Sequence, residues 1–212
     1  ILVMVLSWVV WRPFSMAVHT YEQMYMLALG ADAFILGLMT ASFQLVMAFV
    51  RFPGGYVADR YGRKKIVVIM TFVYSLAYVL FAVAVDWTWA LAAYIVSGLC
   101  LLYQPALWAI LSDSLPPEKR GIGFTISALL PELVALLGPP LAVYLVVTYG
   151  LIEGMRIAYA LTSLAGFTAA LIRVVGLKET LRVGGGPKGD YGMRKGYSDA
   201  MRYASTVSYT HL

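Results

Sequence analysis

The chain has 212 residues, of which 61% are apolar and 13% charged, against roughly 45–50% and about 25% in soluble domains. Surface-to-volume scaling gives a water-soluble domain of this size too few interior positions for so much apolar surface, which excludes ordinary soluble enzymes, disordered regulators and disulfide scaffolds. The lone Cys100 permits no internal disulfide, and the net charge of +5 is explained below by where the cations fall rather than by nucleic acid. The composition is that of an all-α membrane protein.

A helix needs about 20 mainly apolar residues to cross the hydrocarbon. The first predicted span covers about 1–27 and is interrupted by Arg12, Pro13, His19 and Glu22. The second covers 33–58, running past Arg51, and the third 66–85 without a charge. The fourth, 87–111, is also uncharged; the fifth, 121–150, carries only Glu132; the sixth, 155–175, lies around Arg156 and Arg173. A six-transmembrane-helix bundle follows. Four cations (Arg60, Arg63, Lys64, Lys65) fall between spans two and three, two (Lys119, Arg120) between four and five, and six beyond Val174, whereas the opposite connections hold only Arg156. The positive-inside rule then places the N-terminus and the tail in the cytoplasm. Ile1–Val10 lacks the basic flank and cleavage site of a signal peptide. With no Met at position 1, the chain is expected to begin inside its first span.

The turn after the second span reads Gly55-Tyr56-Val57-Ala58-Asp59-Arg60-Tyr61-Gly62-Arg63-Lys64-Lys65. It closely resembles the G-x-x-x-D-R-x-G-R-R/K signature of the major facilitator superfamily, at the same topological place. Ser112-Asp113-Ser114-Leu115-Pro116-Pro117-Glu118-Lys119-Arg120-Gly121 is similar to that family's loop between helices 4 and 5, and Leu177-Lys178-Glu179-Thr180 to its L-x-E-T after helix 6. Together these cover about residues 1–181. The resemblance implies the N-terminal half of a twelve-helix transporter, built from inverted 3+3 repeats and missing its C-terminal six-helix partner. It also implies a conformational latch formed by Gly55, Asp59, Arg60, Gly62, Arg63 and Asp113. Physically, Gly55 and Gly62 permit close helix approach and a tight turn, and the cations suit anionic headgroups of the lipid bilayer. Arg63 is expected to reach Asp113, while Asp59, whose implied partner is in the other half, should be poorly paired. Phosphate binding is excluded, because neither Walker spacing nor a strand-then-helix context is present. Residues 176–205, with Gly184-Gly185-Gly186-Pro187, read as a cytoplasmic linker between halves. Residues 206–212 match one translated frame of a transposon end used in sequencing libraries, so the remaining half is expected to have been lost at a read boundary.

Charges at membrane depth face protein or a water-filled cavity. Arg12, Ser15, His19 and Gln23 form one stripe on the first span, with Glu22 at its border. Thr40, Gln44 and Arg51 repeat the pattern on the second, Tyr94, Ser97, Gln104 and Trp108 on the fourth, and Thr125, Glu132 and Pro139 on the fifth. The substrate and coupling candidates are Arg12, Gln44, Gln104 and Glu132, with spans three and six expected outside the cavity. Arg12 stays charged and suits an anionic group or a partner acid, while low dielectric favours the protonated form of a carboxyl such as Glu132. A metal site is not expected, for no second His or Cys has ligand spacing. Gly138-Pro139 matches only part of the glycine-rich motif of proton-coupled drug exporters. The resemblance thus implies a multi-pass plasma-membrane transporter, not an enzyme, that moves a small solute by alternating access. Protons are its expected coupling ion, and it needs no cofactor and no nucleic acid. A non-transporting receptor or assembly subunit on the same scaffold is the alternative, against which the aligned polar stripe argues.

Overall fold

A computed structural model describes residues 1–180; the linker beyond Thr180 and the 206–212 segment lie outside the described residues. Among the described residues eight α-helices make six crossings: α1 (Leu2–Ala28), α2 (Ala33–Tyr61), α3 (Arg63–Ala82), α4 (Trp87–Cys100), α5 (Gln104–Asp113), α6 (Arg120–Ala135), α7 (Gly138–Tyr149) and α8 (Leu151–Gly176). The fourth crossing is α4 and α5, joined by a 3-10 turn at Leu101–Tyr103. The fifth is α6 and α7, interrupted at Leu136 and Leu137. Both breaks stand just before prolines: Pro105 opens α5, and Pro139 and Pro140 open α7. Proline lacks the N–H that a continuous helix would use but suits a first helical turn.

Asp32 and Asp86 cap the other-end starts of α2 and α4, accepting from Ile35 N–H at 2.7 Å and Thr88 N–H at 2.8 Å. The hydroxyl and N–H of Thr88 hold the Asp86 carboxyl below its ordinary range. At the basic end, the loop expected between spans two and three shrinks to a single residue, Gly62. Its φ of 96° is a conformation that L side chains rarely adopt, and it lets α2 run on to Tyr61 and α3 start at Arg63. The first five residues of the expected linker, 176–180, also belong to the bundle. Leu177 is buried, and the Glu179 carboxylate accepts from Lys64 N–H at 3.0 Å, an acid at the positive start of α3.

Span one packs on spans five and six, span four on spans two and three, and α3 packs along α8. Exchanging spans 1–3 with 4–6 maps this pairing onto itself, the relation inverted repeats require. Toward the basic end the core holds Met4, Val67, Leu107 and Leu111. Toward the other end it is aromatic, with Phe81 stacked on Tyr159 at 4.9 Å and Tyr25 donating to the Phe81 carbonyl at 2.9 Å.

Candidate functional site

Between α1 and α4 there is little direct contact, and the gap opens into two cavities of about 390 Å³ each. The first lies between α1, α5 and α6 and contains Arg12, Gln104 and Glu132, under Trp8, Trp11, Tyr103 and Trp108. Arg12 donates through Nε and Nη2 to the two carboxylate oxygens of Glu132, at 2.8 and 2.9 Å. Such a two-pronged pair fixes direction as well as distance. The side chains keep 27% and 56% exposure, so the pair stays accessible from the open face of the bundle. Gln104 Oε1 accepts from Arg51 Nη2 at 2.6 Å and Nε at 3.1 Å, which draws Arg51 away from the bundle end toward the cavity. The buried Ser127 hydroxyl, on the same wall, has no partner among the described residues.

The second cavity lies between α1, α2 and α4. Here Glu22 accepts from the Tyr94 hydroxyl at 2.6 Å and from His19 Nδ1 at 2.7 Å. Gln44 is found in this cavity, so it does not join Arg12, Gln104 and Glu132. The stripe on α1 predicts one polar face, whereas in the structure it borders two cavities that share a wall at Tyr74 of α3. Glu22, placed only at the border of the stripe, is the carboxylate of the second cavity. Its three-residue offset from His19, one helical neighbour spacing, was the available signal.

Span three was expected outside the cavity, and the structure corrects this. Tyr74 lines both cavities, and Tyr78 and Phe81 line the second. Because α1 and α4 barely touch, α3 forms the back wall of the gap. Span six does stay out of the two large cavities, yet it contributes a charge that the sequence reading passed over. Arg173 is 3% exposed, donating to Ser7 Oγ at 3.1 Å and Thr71 Oγ1 at 2.7 Å, with its guanidinium over the Tyr103 ring. No carboxylate among the described residues pairs with it.

At the basic end, Arg63 reaches Asp113 at 2.7 Å and also Asp59 at 2.8 Å. The expectation of a poorly paired Asp59 is therefore overturned. With only Gly62 between the helices, Arg63 lies one turn beyond Asp59 and chelates both acids. Arg60 turns outward, donating to the Tyr56 hydroxyl at 3.2 Å. The close approach assigned to Gly55 belongs to its neighbour: a Cβ on Gly54 would overlap the Leu102 carbonyl, whereas one on Gly55 would meet nothing within 4 Å. Gly55 faces the open side of α2.

Among the described residues no group of three or more His, Cys, Asp or Glu could hold a metal ion.

Residues 2–205 match the sequence profile of the Major Facilitator Superfamily. An uncharacterized MFS-type transporter, YqjV, of Bacillus subtilis (strain 168) is 31% identical over 116 residues, 54% of this chain and 28% of the relative. A Na(+), Li(+), K(+)/H(+) antiporter of Planococcus maritimus is 28% identical over 120 residues, 53% and 28% respectively. The crystal structure of the peptide transporter POT in complex with alafosfalin superposes with a TM-score of 0.61 at 22% identity, covering 98% of this chain and 44% of that one. The matches thus span about a quarter to under a half of these relatives' lengths.

Proposed function

Because the chain belongs to the major facilitator superfamily of membrane transporters, we propose that it forms the N-terminal six-helix half of a secondary active transporter, with Glu132 as the site of proton coupling. The observation that carries this is the Arg12–Glu132 pair across the first cavity. A carboxylate at this depth is tolerable because a guanidinium neutralises it. Protonation of Glu132 removes that partner and releases Arg12 to hold an anionic group of the solute; loss of the solute lets the pair re-form. One proton and one solute then compete for one arginine, the elementary requirement for coupling their movements. Gln104 and Ser127 supply neutral hydrogen-bonding groups on the same wall.

In this reading the N-terminus and the tail are cytoplasmic and the protein is in the plasma membrane, as the cation distribution favours. The bundle rocks against a second half across its open face. Asp59, Arg63 and Asp113 latch one state, with Asp59 exchanging part of its bond to Arg63 for a helix end of the second half.

The test is Glu132→Gln in the full-length protein, reconstituted in liposomes. The pH gradient should no longer drive transport, while exchange of the same solute down its own gradient survives, since Gln keeps the shape and a hydrogen-bonding end. Equal loss of both would make Glu132 a binding or structural residue. Unchanged pH-driven transport would remove it from coupling.

A further inference from the structure

The second cavity differs from the first in one chemical respect: no arginine or lysine lines it beside its carboxylate. Besides tyrosines, the ionisable residues lining it are His19 and Glu22. Tyr94 and His19 each donate one hydrogen bond to Glu22, which orients the carboxylate. The Glu22 side chain is only 18% exposed. Around it stand five aromatic rings, Phe43, Tyr74, Tyr78, Phe81 and Tyr94. Tyr94 meets Phe81 and Phe43 edge to face, at centroid distances of 5.3 and 6.0 Å, so faces and edges are presented at right angles around the acid.

We propose that this cavity is a binding site for a lipophilic organic monocation, with Glu22 as its counter-charge and the rings of Phe43, Phe81 and Tyr94 as its cage. The proposal rests on the transport reading above and adds, beside its Arg12 site for an anionic group, a separate site for a cation. An alkylammonium group placed there gains from ring quadrupoles and from a fixed carboxylate at once. Its weakly hydrated alkyl groups lose little on entering an apolar wall. A bare metal ion would instead seek a shell of oxygen ligands with more than one charge among them, and this wall offers a single carboxylate, with only the neutral side chains of Gln23, Thr40, Gln44 and Ser97 and tyrosine hydroxyls besides. The volume of about 390 Å³ lies within the range of small-molecule sites and has room for an aryl group beside the ammonium head. An anionic solute is repelled by Glu22 here, which confines it to the Arg12 side.

The test is equilibrium binding of benzyltrimethylammonium to the purified, detergent-solubilised protein, in competition with its neutral carbon isostere neopentylbenzene and with Na⁺ and K⁺. The cation should bind more tightly than the isostere, and neither metal ion should displace it at equal ionic strength. Glu22→Gln should weaken the cation about tenfold or more and leave the isostere unchanged. Glu22→Asp, which keeps the charge on a shorter stem, should retain most of the affinity and guards against a variant that merely misfolds. Equal binding of cation and isostere would mean that Glu22 holds only a proton and would overturn the proposal, as would displacement by Na⁺ or K⁺. Because binding is measured without a gradient, its failure beside intact pH-driven transport sinks this inference alone. Intact binding beside absent transport would sink the transport reading instead.

Discussion

Adjacent glycines on α2 should respond to the same substitution with opposite signs. Glycine inside a helix is less stable than alanine by about 1 kcal/mol, so Gly→Ala is favourable wherever the added methyl has room. At Gly55 nothing lies within 4 Å of the new Cβ, and the isolated bundle should gain roughly that 1 kcal/mol. At Gly54 the Cβ overlaps the Leu102 carbonyl, a backbone atom in the 3-10 turn that bridges the two halves of the fourth crossing. Backbone cannot rotate away as a side-chain end can, and overpacking of this kind costs about 1–3 kcal/mol. The propensity gain offsets about 1 kcal/mol of it, which leaves Gly54→Ala destabilised by up to about 2 kcal/mol. For a chain of this size 1 kcal/mol shifts the midpoint by about 2–4 °C. Thermal unfolding in detergent, followed by far-UV circular dichroism, should therefore show Gly55→Ala a few degrees above the parent and Gly54→Ala a few degrees below. If both move the same way, the close approach of α2 to the fourth crossing is not what Gly54 provides. In the full-length transporter Gly55→Ala should keep its stability yet slow transport, if the open side of α2 meets the second half.

Arg173→Met should stay within about 1 kcal/mol of the parent, since a buried charge replaced by an apolar group of like volume is often neutral. Ser7 and Thr71 keep their own bonds to the Met4 and Val67 carbonyls. Arg173→Ala leaves a cavity and should lose about 2–4 kcal/mol; equal losses in chemical denaturation would show that the charge itself is needed. A double-mutant cycle on Arg63 and Asp113 should give a coupling of about 0.5–1 kcal/mol that shrinks at high salt, and zero coupling would reduce the pair to a crystal-like juxtaposition without energy. For Asp86 the sign follows from its lowered titration: the cap's contribution is complete above the ordinary carboxylate range and disappears as pH falls through the lowered value. Acid unfolding of Asp86→Asn should lack that component, and an unchanged acid profile would refute it.

The six crossings were legible because each is a long run whose backbone must satisfy itself in lipid, and charges such as Arg60 and Lys65 mark the ends. Boundaries were less so. The second turn looked like a seven-residue loop because its residues are polar, whereas a single left-handed Gly62 suffices when both helices project beyond the apolar layer. Arg12 and Glu132 were legible as rare intramembrane charges; depth left Arg12 either an anionic group or a partner acid, and it is the packing of α1 against α6 that brings the two together. Gln44 lines the second cavity rather than the one that holds Arg12, and Glu22 was undervalued, for one reason: helical periodicity fixes a face along one helix, but which neighbour's side chains divide that face depends on packing between helices. Arg173 escaped attention because an arginine three residues from a helix end normally reaches toward headgroups. Here the hydroxyls of Ser7 and Thr71 turn it inward.

A single helix, α1, holds both Arg12 and Glu22, ten residues apart, or about 15 Å at 1.5 Å per residue. At an effective dielectric of about 20, two unit charges at that separation interact by about 1.1 kcal/mol. A proton on Glu132, whose carboxylate lies against Arg12, therefore changes the potential felt at Glu22 by enough to weaken a cation held there about sixfold, before any movement of Arg12 is counted. Occupancy of one compartment is read in the other as a shift in voltage, and the rigid rod between them serves as the spacer that sets its size.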